Sequence, residues 1–295
     1  MSAVTDLRRP DPHAAPPRPG RRRRVRPMSI VSILILCVAA VLVVAPIVWA
    51  LSTSLRTPAT SFDEPPHWIP THPVGSNYRA VFDQVPLAQF ILNSVLVTGL
   101  IVAGQIITST MSGYAFAMVR FRGRGVLFGL ILATMMVPLQ TTIIPVFLLI
   151  KYLRLIDSRM SLVLPAVGSA FGTFLMRQYF RQMPRELGEA ARVDGASHFQ
   201  VFLRIYAPMA FAPMATLGVL TFSAYWNEFF RPLIFLQTQS KFTLPLGLVT
   251  LQGNHGTGSI SVVLAGVIIG LIPTLLVFAA AQRYFVEGIA AGSFR

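Results

Sequence analysis

Long apolar stretches without charged side chains alternate with short polar connections along most of the chain. The first four cover residues 28–55, 84–119, 125–150 and 160–176, the fifth starts near Ile205, and the sixth ends at Gln282. A spanning helix needs about 20 apolar residues, so the fourth stretch is short, but Tyr179 and Phe180 can extend it at the membrane interface. The pattern predicts an all-α membrane protein with six transmembrane helices.

Composition agrees with this prediction, because 54% of the residues are hydrophobic and only 12% are charged, with a mean hydropathy of +0.62. Soluble domains carry about twice that share of charge. The formal net charge of +14 does not indicate nucleic-acid binding, because the basic residues outside the N-terminal tail lie in short gaps between apolar spans. The single cysteine, Cys37, excludes an intramolecular disulfide and a cysteine-based metal site.

Residues 1–27 contain eight arginines and little that is apolar. This composition predicts a disordered tail whose arginines contact anionic membrane lipid. The apolar run that follows is too long for a cleaved signal peptide and lacks a small-residue cleavage site. We therefore expect it to stay as an anchor, with residues 28–295 forming one transmembrane domain.

The basic residues indicate the orientation of the chain. If the tail is cytoplasmic, six spans place 18 lysines and arginines on the cytoplasmic side and six on the opposite side. Cytoplasmic connections carry the excess of basic residues in membrane proteins. The sequence therefore predicts a multi-pass protein of the cell membrane with both termini in the cytoplasm.

Two connections on the opposite side have a distinct composition. Residues 56–86 include six prolines, which predict an extended loop with no long helix. Residues 237–259 are polar and rich in glycine towards their end. We expect this second loop to bend back into a cavity or to contact an external partner.

The connection between the fourth and fifth stretches, about residues 184–208, is too long for a simple turn. Pro184 can start a helix, and Glu186 and Glu189 fall in its first turns, where the helix dipole favours anions. Asp194 and Gly195 then supply a turn before a second helical stretch. The segment is predicted to form a cytoplasmic helix-turn-helix.

The same segment contains Glu189-Ala190-Ala191, then Asp194-Gly195-Ala196, then Ile205 and Pro208. It resembles the EAA loop of importer permeases of the ATP-binding-cassette class. Further matches to the carbohydrate-uptake subfamily related to the maltose permease are Trp68-Ile69-Pro70 with Asn77-Tyr78, Asn93-Ser94, Trp226-Asn227-Glu228-Phe229, Thr243-Leu244-Pro245-Leu246-Gly247-Leu248 and Gln282-Arg283-Tyr284-Phe285. The resemblance covers residues 28–294; the long arginine-rich tail and the end of the chain, which lacks the usual Lys-Gly, depart from it.

The resemblance implies a permease subunit that forms half of the pathway for a sugar or sugar-like small-molecule solute, glycerol-phosphate types included. It implies as partners a second permease subunit, a cytoplasmic ATPase dimer and an extracytoplasmic solute-binding protein, and it implies no cofactor, no metal and no nucleic acid. The residues implied to couple the loop to the ATPase are Glu189, Ala190, Ala191, Asp194, Gly195, Ala196, Ile205 and Pro208.

The chain contains no Walker A sequence, because neither of its lysines, Lys151 and Lys241, follows a glycine. Its energy must come from a separate ATPase or from an ion gradient. A gradient-driven secondary transporter is therefore an alternative, with Glu228 as the one candidate intramembrane acid. A second alternative is an intramembrane hydrolase, although no histidine or aspartate lies within a predicted span.

Polar side chains at membrane depth usually face a cavity or a neighbouring helix. The candidate pathway residues are Asn227, Glu228, Trp226, Gln140 and Asn93. The amide and carboxylate of Asn227 and Glu228 beside the ring of Trp226 suit a sugar's hydroxyls and its C–H face. Gln140 lies between Pro138 and Pro145, where a kinked helix is expected. Gln105 is expected to bond a neighbouring helix, and Arg231 either to hold an anion or to reach the head groups.

Overall fold

A computed structural model of the chain describes residues 27–57, 69–70, 72–253 and 258–292, with no side chains described beyond residue 282. The predicted disordered tail lies outside the described residues, apart from Pro27. The closing residues 293–295, Trp68 and residues 254–257 of the glycine-rich loop also lie outside them. The described part of the chain is helical and contains no strand.

The described part of the chain contains a series of α-helices of very different lengths. In chain order they are α1 (Pro27–Ser54), α2 (Ser76–Gln84), α3 (Leu87–Met118), α4 (Arg124–Thr134), α5 (Leu139–Tyr152), α6 (Met160–Val163), α7 (Ala170–Phe180), α8 (Glu186–Val193), α9 (His198–Val201), α10 (Ala207–Met209), α11 (Phe211–Trp226), α12 (Phe230–Phe235), α13 (Leu244–Val249) and α14 (Ile260–Gly292).

Three of these helices, α1, α3 and α14, are each long and apolar enough to cross a membrane. The described residues up to Ile47 and those from Val48 onward belong to two different units. Within α1, every side chain from Val31 to Val44 is exposed. Such an apolar surface is expected of a helix whose side chains contact lipid.

Three further candidate spans are bent pairs of helices. The helices α4 and α5 meet at 101°, residues 160–166 and α7 at 40°, and residues 198–209 and α11 at 75°. Counted as one span each, the pairs bring the candidate spans to six. At the first break, Pro138 has an extended backbone and lacks an amide hydrogen, so the helix is interrupted there and not merely kinked. The helix α5 continues through Pro145.

The proline-rich connection after α1 contains one element that its composition does not predict, the nine-residue helix α2. Asn77 in its first turn is buried, and its Nδ2 donates to the carbonyl oxygens of Ser54 at 2.8 Å and Arg56 at 2.7 Å. These two bonds hold the start of α2 against the end of α1. The rest of the connection in the described residues is irregular, as expected.

The helix α3 packs closely against α7 because small residues meet where the two helices cross. A Cβ atom added to Gly113 would lie 2.8 Å from the backbone nitrogen of Arg177, and one added to Gly172 would overlap the Ser109 side chain. Close to this contact, the hydroxyls of Ser112 and Thr173 are hydrogen-bonded at 2.8 Å. Small residues and hydroxyl bonds are typical of helix association in membranes.

Gln105 ties three spans together in the middle of α3. Its Nε2 donates to the carbonyl oxygen of Ala166 at 2.7 Å and to the hydroxyl of Tyr225 at 3.2 Å, and its Oε1 accepts from the hydroxyl of Thr221 at 3.0 Å. The side chain is buried. The expectation that Gln105 bonds neighbouring helices is confirmed.

The connection after α5 is joined to the connection after α12 through one carboxylate. Asp157 accepts hydrogen bonds from the amides of Gln237 and Thr238 and from the Thr238 hydroxyl, and its Oδ2 lies 2.8 Å from Lys241 Nζ. The bonds from Lys241 and then Thr238 hold the pKa of Asp157 well below its ordinary value. This contact fixes the two connections to each other.

Candidate functional site

The segment after α7 folds as the predicted helix-turn-helix. In α8, Glu186 and Glu189 occupy the first turn and Arg192 the last, in agreement with the helix dipole. Gly195 has a φ of +90°, which glycine adopts without strain, and it ends the helix. Ser197 then caps α9 in a capping box with Gln200.

The second helix of this motif runs directly into the fifth span. From α9 the chain passes through a π-helix, Phe202–Tyr206, into α10 without a break, and α11 follows after the bend at Ala210. The fifth span was expected to start near Ile205, but that residue and Pro208 lie inside this longer helical run. Ile205 packs against a buried aromatic cluster that includes Tyr114, Phe180 and Tyr206, whereas Pro208 is exposed.

Tyr206 holds α8 against this run. Its ring is buried, and its hydroxyl donates to the carbonyl oxygen of Pro184 at 3.0 Å. A Cβ atom on Gly188 would lie 2.9 Å from the same hydroxyl, so glycine is needed for this approach. The ring of Tyr114 on α3 packs against the Tyr206 ring at a tilt of 46°, with ring centroids 5.5 Å apart. Neither tyrosine was among the predicted site residues; the only sequence signal is that Tyr206 is an aromatic residue between Ile205 and Pro208 of the motif.

The two faces of α8 differ. Glu189 lines a cavity of about 320 Å³ together with residues of α3 and α9. Leu187, Ala190 and Asp194 are spaced three and four residues apart, so they lie together on another face of the helix. All three are exposed. Among the other predicted coupling residues, Ala191 and Ala196 are half-buried against the aromatic cluster that contains Tyr114 and Tyr206. Gly195 is exposed.

Two of the predicted pathway residues meet at one cavity. Trp226 and Asn227 at the end of α11 line a space of about 280 Å³ bounded by α13 and α14. Trp226 is otherwise buried, and its Nε1 donates to the carbonyl oxygen of Gly270 at 3.0 Å. Asn227 is exposed, with its Nδ2 bonded to the carbonyl oxygen of Ser223 at 2.9 Å. The Oδ1 atom of Asn227 accepts no hydrogen bond within the described residues.

Glu228 is not the isolated carboxylate that the sequence indicated. It forms a two-point ion pair with Arg231, with Nη2 2.6 Å from Oε2 and Nε bonded to Oε1. Arg231 is only 4% exposed and its Nη1 also donates to the carbonyl oxygen of Leu162 at 3.1 Å. The expectation that Arg231 reaches the head groups or holds a free anion is wrong in this structure, because Glu228 neutralises it. A proton relay centred on a lone Glu228 loses its basis.

Asn93 and Gln140 do not line the cavity at Trp226. Asn93 is fully buried, donates to the carbonyl oxygens of Ser240 and Phe242 at 2.9 Å each, and accepts from Arg159 Nε at 3.0 Å. Gln140 is exposed beside the break between α4 and α5. Asn93 thus contacts the loop before α13, while Gln140 has no side-chain hydrogen bond within the described residues.

Comparisons with known proteins point to one family. A family model described as "Binding-protein-dependent transport system inner membrane component" matches residues 105–290. The arabinooligosaccharides transport system permease protein AraQ of Halalkalibacterium halodurans is 34% identical over 203 residues, covering 69% of this chain and 72% of that protein. The sn-glycerol-3-phosphate transport system permease protein UgpE of Yersinia pestis is 32% identical over 271 residues, 90% of this chain and 96% of that one.

A solved structure has the same fold. It is the crystal structure of a bacterial ABC transporter involved in the import of the acidic polysaccharide alginate. The matched chain superposes with a TM-score of 0.79 at 28% identity, over 90% of this chain and 99% of that one.

Proposed function

Because this chain belongs to the binding-protein-dependent transport system inner membrane component family, we propose that it is one permease subunit of an ATP-driven importer for a sugar or sugar-like solute. The named relatives carry arabinooligosaccharides and sn-glycerol-3-phosphate, which supports this solute class, glycerol-phosphate types included. The chain is a membrane-embedded transport subunit. We place both termini in the cytoplasm, following the distribution of basic residues.

We infer that a cytoplasmic ATPase dimer, a second permease subunit and an extracytoplasmic solute-binding protein complete the importer. The absence of a Walker A sequence supports a separate ATPase. Purification of the tagged chain from its own membrane is expected to recover a second permease and an ATPase, with ATP hydrolysis in the eluted complex. Recovery of the chain alone would contradict the proposal.

The observation that supports coupling most directly is the rigid link between α8 and the fifth span. Tyr206 bonds Pro184 at the start of the loop and lies in the helical run that enters the span. A force on the exposed face of α8 would therefore move the span with it. We propose that the ATPase binds this face, with Glu189, Ala190, Ala191, Asp194, Gly195, Ala196, Ile205 and Pro208 in or directly behind the contact.

Two glycines provide a matched test of this contact. Gly195 and Gly123 both have a left-handed φ, +90° and +79°, and a Cβ atom at either would meet nothing within 4 Å. The substitutions Gly195→Asp and Gly123→Asp therefore impose similar backbone strain. Gly195→Asp, and likewise Glu189→Lys, is expected to abolish solute uptake and transport-coupled ATP hydrolysis with normal membrane insertion. Gly123→Asp should retain most uptake, and equal loss in both glycine variants would contradict the proposed contact.

We propose that the cavity at Trp226 and Asn227 belongs to the solute pathway. The free amide oxygen of Asn227 suits a sugar's hydroxyls, and the Trp226 indole, although 2% exposed, supplies part of the apolar wall of the cavity. Asn227→Ala is expected to weaken apparent solute affinity about tenfold, the loss of one or two hydrogen bonds. Gln237→Ala changes an exposed amide outside the cavity and serves as control. Unchanged affinity in Asn227→Ala would count against this placement.

The remaining pathway positions differ in how available they are. Asn93 and Glu228 already bond protein partners, so a solute would have to displace those bonds. Gln140 is exposed beside a break that frees backbone carbonyl groups. Of these three, we propose Gln140 as the one that contacts solute directly, and Asn93 and Glu228 as residues that shape the pathway.

A further inference from the structure

Two adjoining cavities lie where α3 ends against the helix-turn-helix. The first, of about 320 Å³, is the polar cavity that Glu189 lines. The second, of about 220 Å³, is lined by Met111, Phe199 and Phe202 in addition to Tyr114 and His198. Tyr114 and His198 line both, so the polar and apolar spaces are neighbours.

The polar cavity is basic. Arg120, Arg185 and Arg192 line it with His198, against the single carboxylate of Glu189. Both ion pairs in the described part of the chain lie elsewhere, at Arg231 and Lys241. Within the same residues, the three guanidinium groups donate no hydrogen bond to protein. Three planar donor groups of this kind favour a phosphate or carboxylate ligand.

The depth of the two cavities in the bilayer follows from α3. Its apolar span ends at Met118, two residues before Arg120. The polar cavity is therefore level with the lipid head groups. Met111 lies seven residues before Met118, which is about 10 Å deeper in the bilayer along the helix. Met111 and Phe199 are both exposed, at 47% and 60%. The apolar cavity is therefore level with the acyl chains.

We propose that an anionic phospholipid binds across both cavities. Its phosphate contacts Arg120, Arg185 and Arg192, and one acyl chain lies along Met111 and Phe199. Basic pockets between membrane helices at the cytoplasmic surface are suited to anionic head groups. A free phosphate would use only the polar cavity, and the apolar cavity directly beneath it favours a lipid. The bound lipid would join the end of α3 to α8 and α9.

Lipid binding requires only an inserted chain, so it does not depend on the proposed transport function. The purified full-length chain is exchanged into detergent with a fixed amount of phosphatidylglycerol or phosphatidylcholine, and retained lipid is counted by native mass spectrometry. The double variant Arg120→Gln, Arg192→Gln is compared with Arg181→Gln, Arg204→Gln, two exposed arginines outside the cavity. Each arginine near a membrane surface is worth about fivefold in affinity for anionic lipid.

Preferential retention of phosphatidylglycerol by the unaltered chain is expected, with about 25-fold weaker binding in the cavity variant and little change in the control. Equal retention of the two lipids by the unaltered chain would overturn the proposal. An equal loss of phosphatidylglycerol binding in the cavity variant and in the control variant would also overturn it.

Two further measurements identify the occupant. Phe199→Ser should weaken lipid binding but leave binding of inorganic phosphate unchanged. Inorganic phosphate that binds as tightly as the lipid, with the same dependence on arginine, would assign the cavity to a free anion. That outcome overturns the lipid assignment.

Discussion

Arg231 and Glu228 illustrate how a charge is kept in the protein interior. The guanidinium is almost fully enclosed, and its donors are used by one carboxylate and one backbone carbonyl. Each ion alone would lose its hydration without compensation, which is costly in a low-dielectric environment. The pair is therefore a unit in which neither residue is independent.

Removing one member of this pair should destabilise the protein more than removing both. Arg231→Met leaves Glu228 partly buried and unpaired, and we expect a loss of about 3 kcal/mol in unfolding free energy. The double variant Arg231→Met, Glu228→Leu should recover most of it. Thermal unfolding in detergent measures both. A double variant as unstable as the single one would contradict this account.

The Asp157 contact should show a defined dependence on pH. Its pKa is lowered in the folded protein by Lys241 and Thr238, so its contribution to stability is fully present above the unfolded value of about 4. It is lost as pH falls from there through the lowered pKa. The melting-temperature difference between the unaltered chain and Asp157→Asn should be constant from about pH 8 to 5 and narrow below about pH 4.

Asp83→Asn is the control for this titration, because Asp83 is exposed and forms no ion pair within the described residues. The melting temperature of Asp83→Asn should differ little from that of the unaltered chain at neutral pH. If the melting-temperature difference between the unaltered chain and Asp157→Asn stays constant to about pH 2, or becomes larger in acid, the Asp157 carboxylate is not the stabilising group.

At the scale of elements, the crossing of α3 and α7 depends on the absence of a side chain. Gly113→Ala would place a methyl group 2.8 Å from a backbone nitrogen of α7, which cannot rotate away. We expect a loss of about 1–3 kcal/mol. Gly99→Ala in the same helix meets open space and should be neutral or slightly stabilising. Equal stability of the two variants, measured by thermal unfolding, would contradict the close crossing.

Removal of one hydroxyl group should weaken the link between α8 and the fifth span. Tyr206→Phe keeps the ring against Gly188 but removes the bond to the Pro184 carbonyl. We expect ATP hydrolysis in the assembled importer to continue while solute uptake falls several-fold, because α8 would move without the span. Tyr179→Phe removes a comparable hydroxyl bond, to the carbonyl of Met209, and is the control. Parallel losses of hydrolysis and uptake in Tyr206→Phe would indicate general damage.

For the whole molecule, the proposed six spans with both termini in the cytoplasm would place the helix-turn-helix and the Asp157 contact on opposite sides of the membrane. The chain has one cysteine, Cys37, so Cys37→Ser gives a background without thiols. An impermeant thiol reagent added outside should label Gln237→Cys but not Asp194→Cys, and inverted vesicles should reverse the result. Labelling of both from one side would contradict the six-span topology.

The elements that could be predicted from the sequence are those whose causes are local. Long apolar stretches must be helical in lipid because every backbone polar group needs a partner inside the segment. The helix-turn-helix also follows from neighbouring residues: acidic side chains in the first turn of α8, a left-handed Gly195 and the Ser197 cap. The motif within it identified the family before any contact was known.

Contacts between residues far apart in the chain could not be predicted from the sequence, because they depend on how the helices pack. Asn93 bonds carbonyl groups about 150 residues later, and Tyr114 on α3 meets Tyr206 on the fifth span. The Glu228–Arg231 pair has helical spacing, but its burial depends on the Leu162 carbonyl from another span. A sequence records which polar groups exist, whereas packing decides which of them find partners within the chain and which stay free to bind a solute or a lipid.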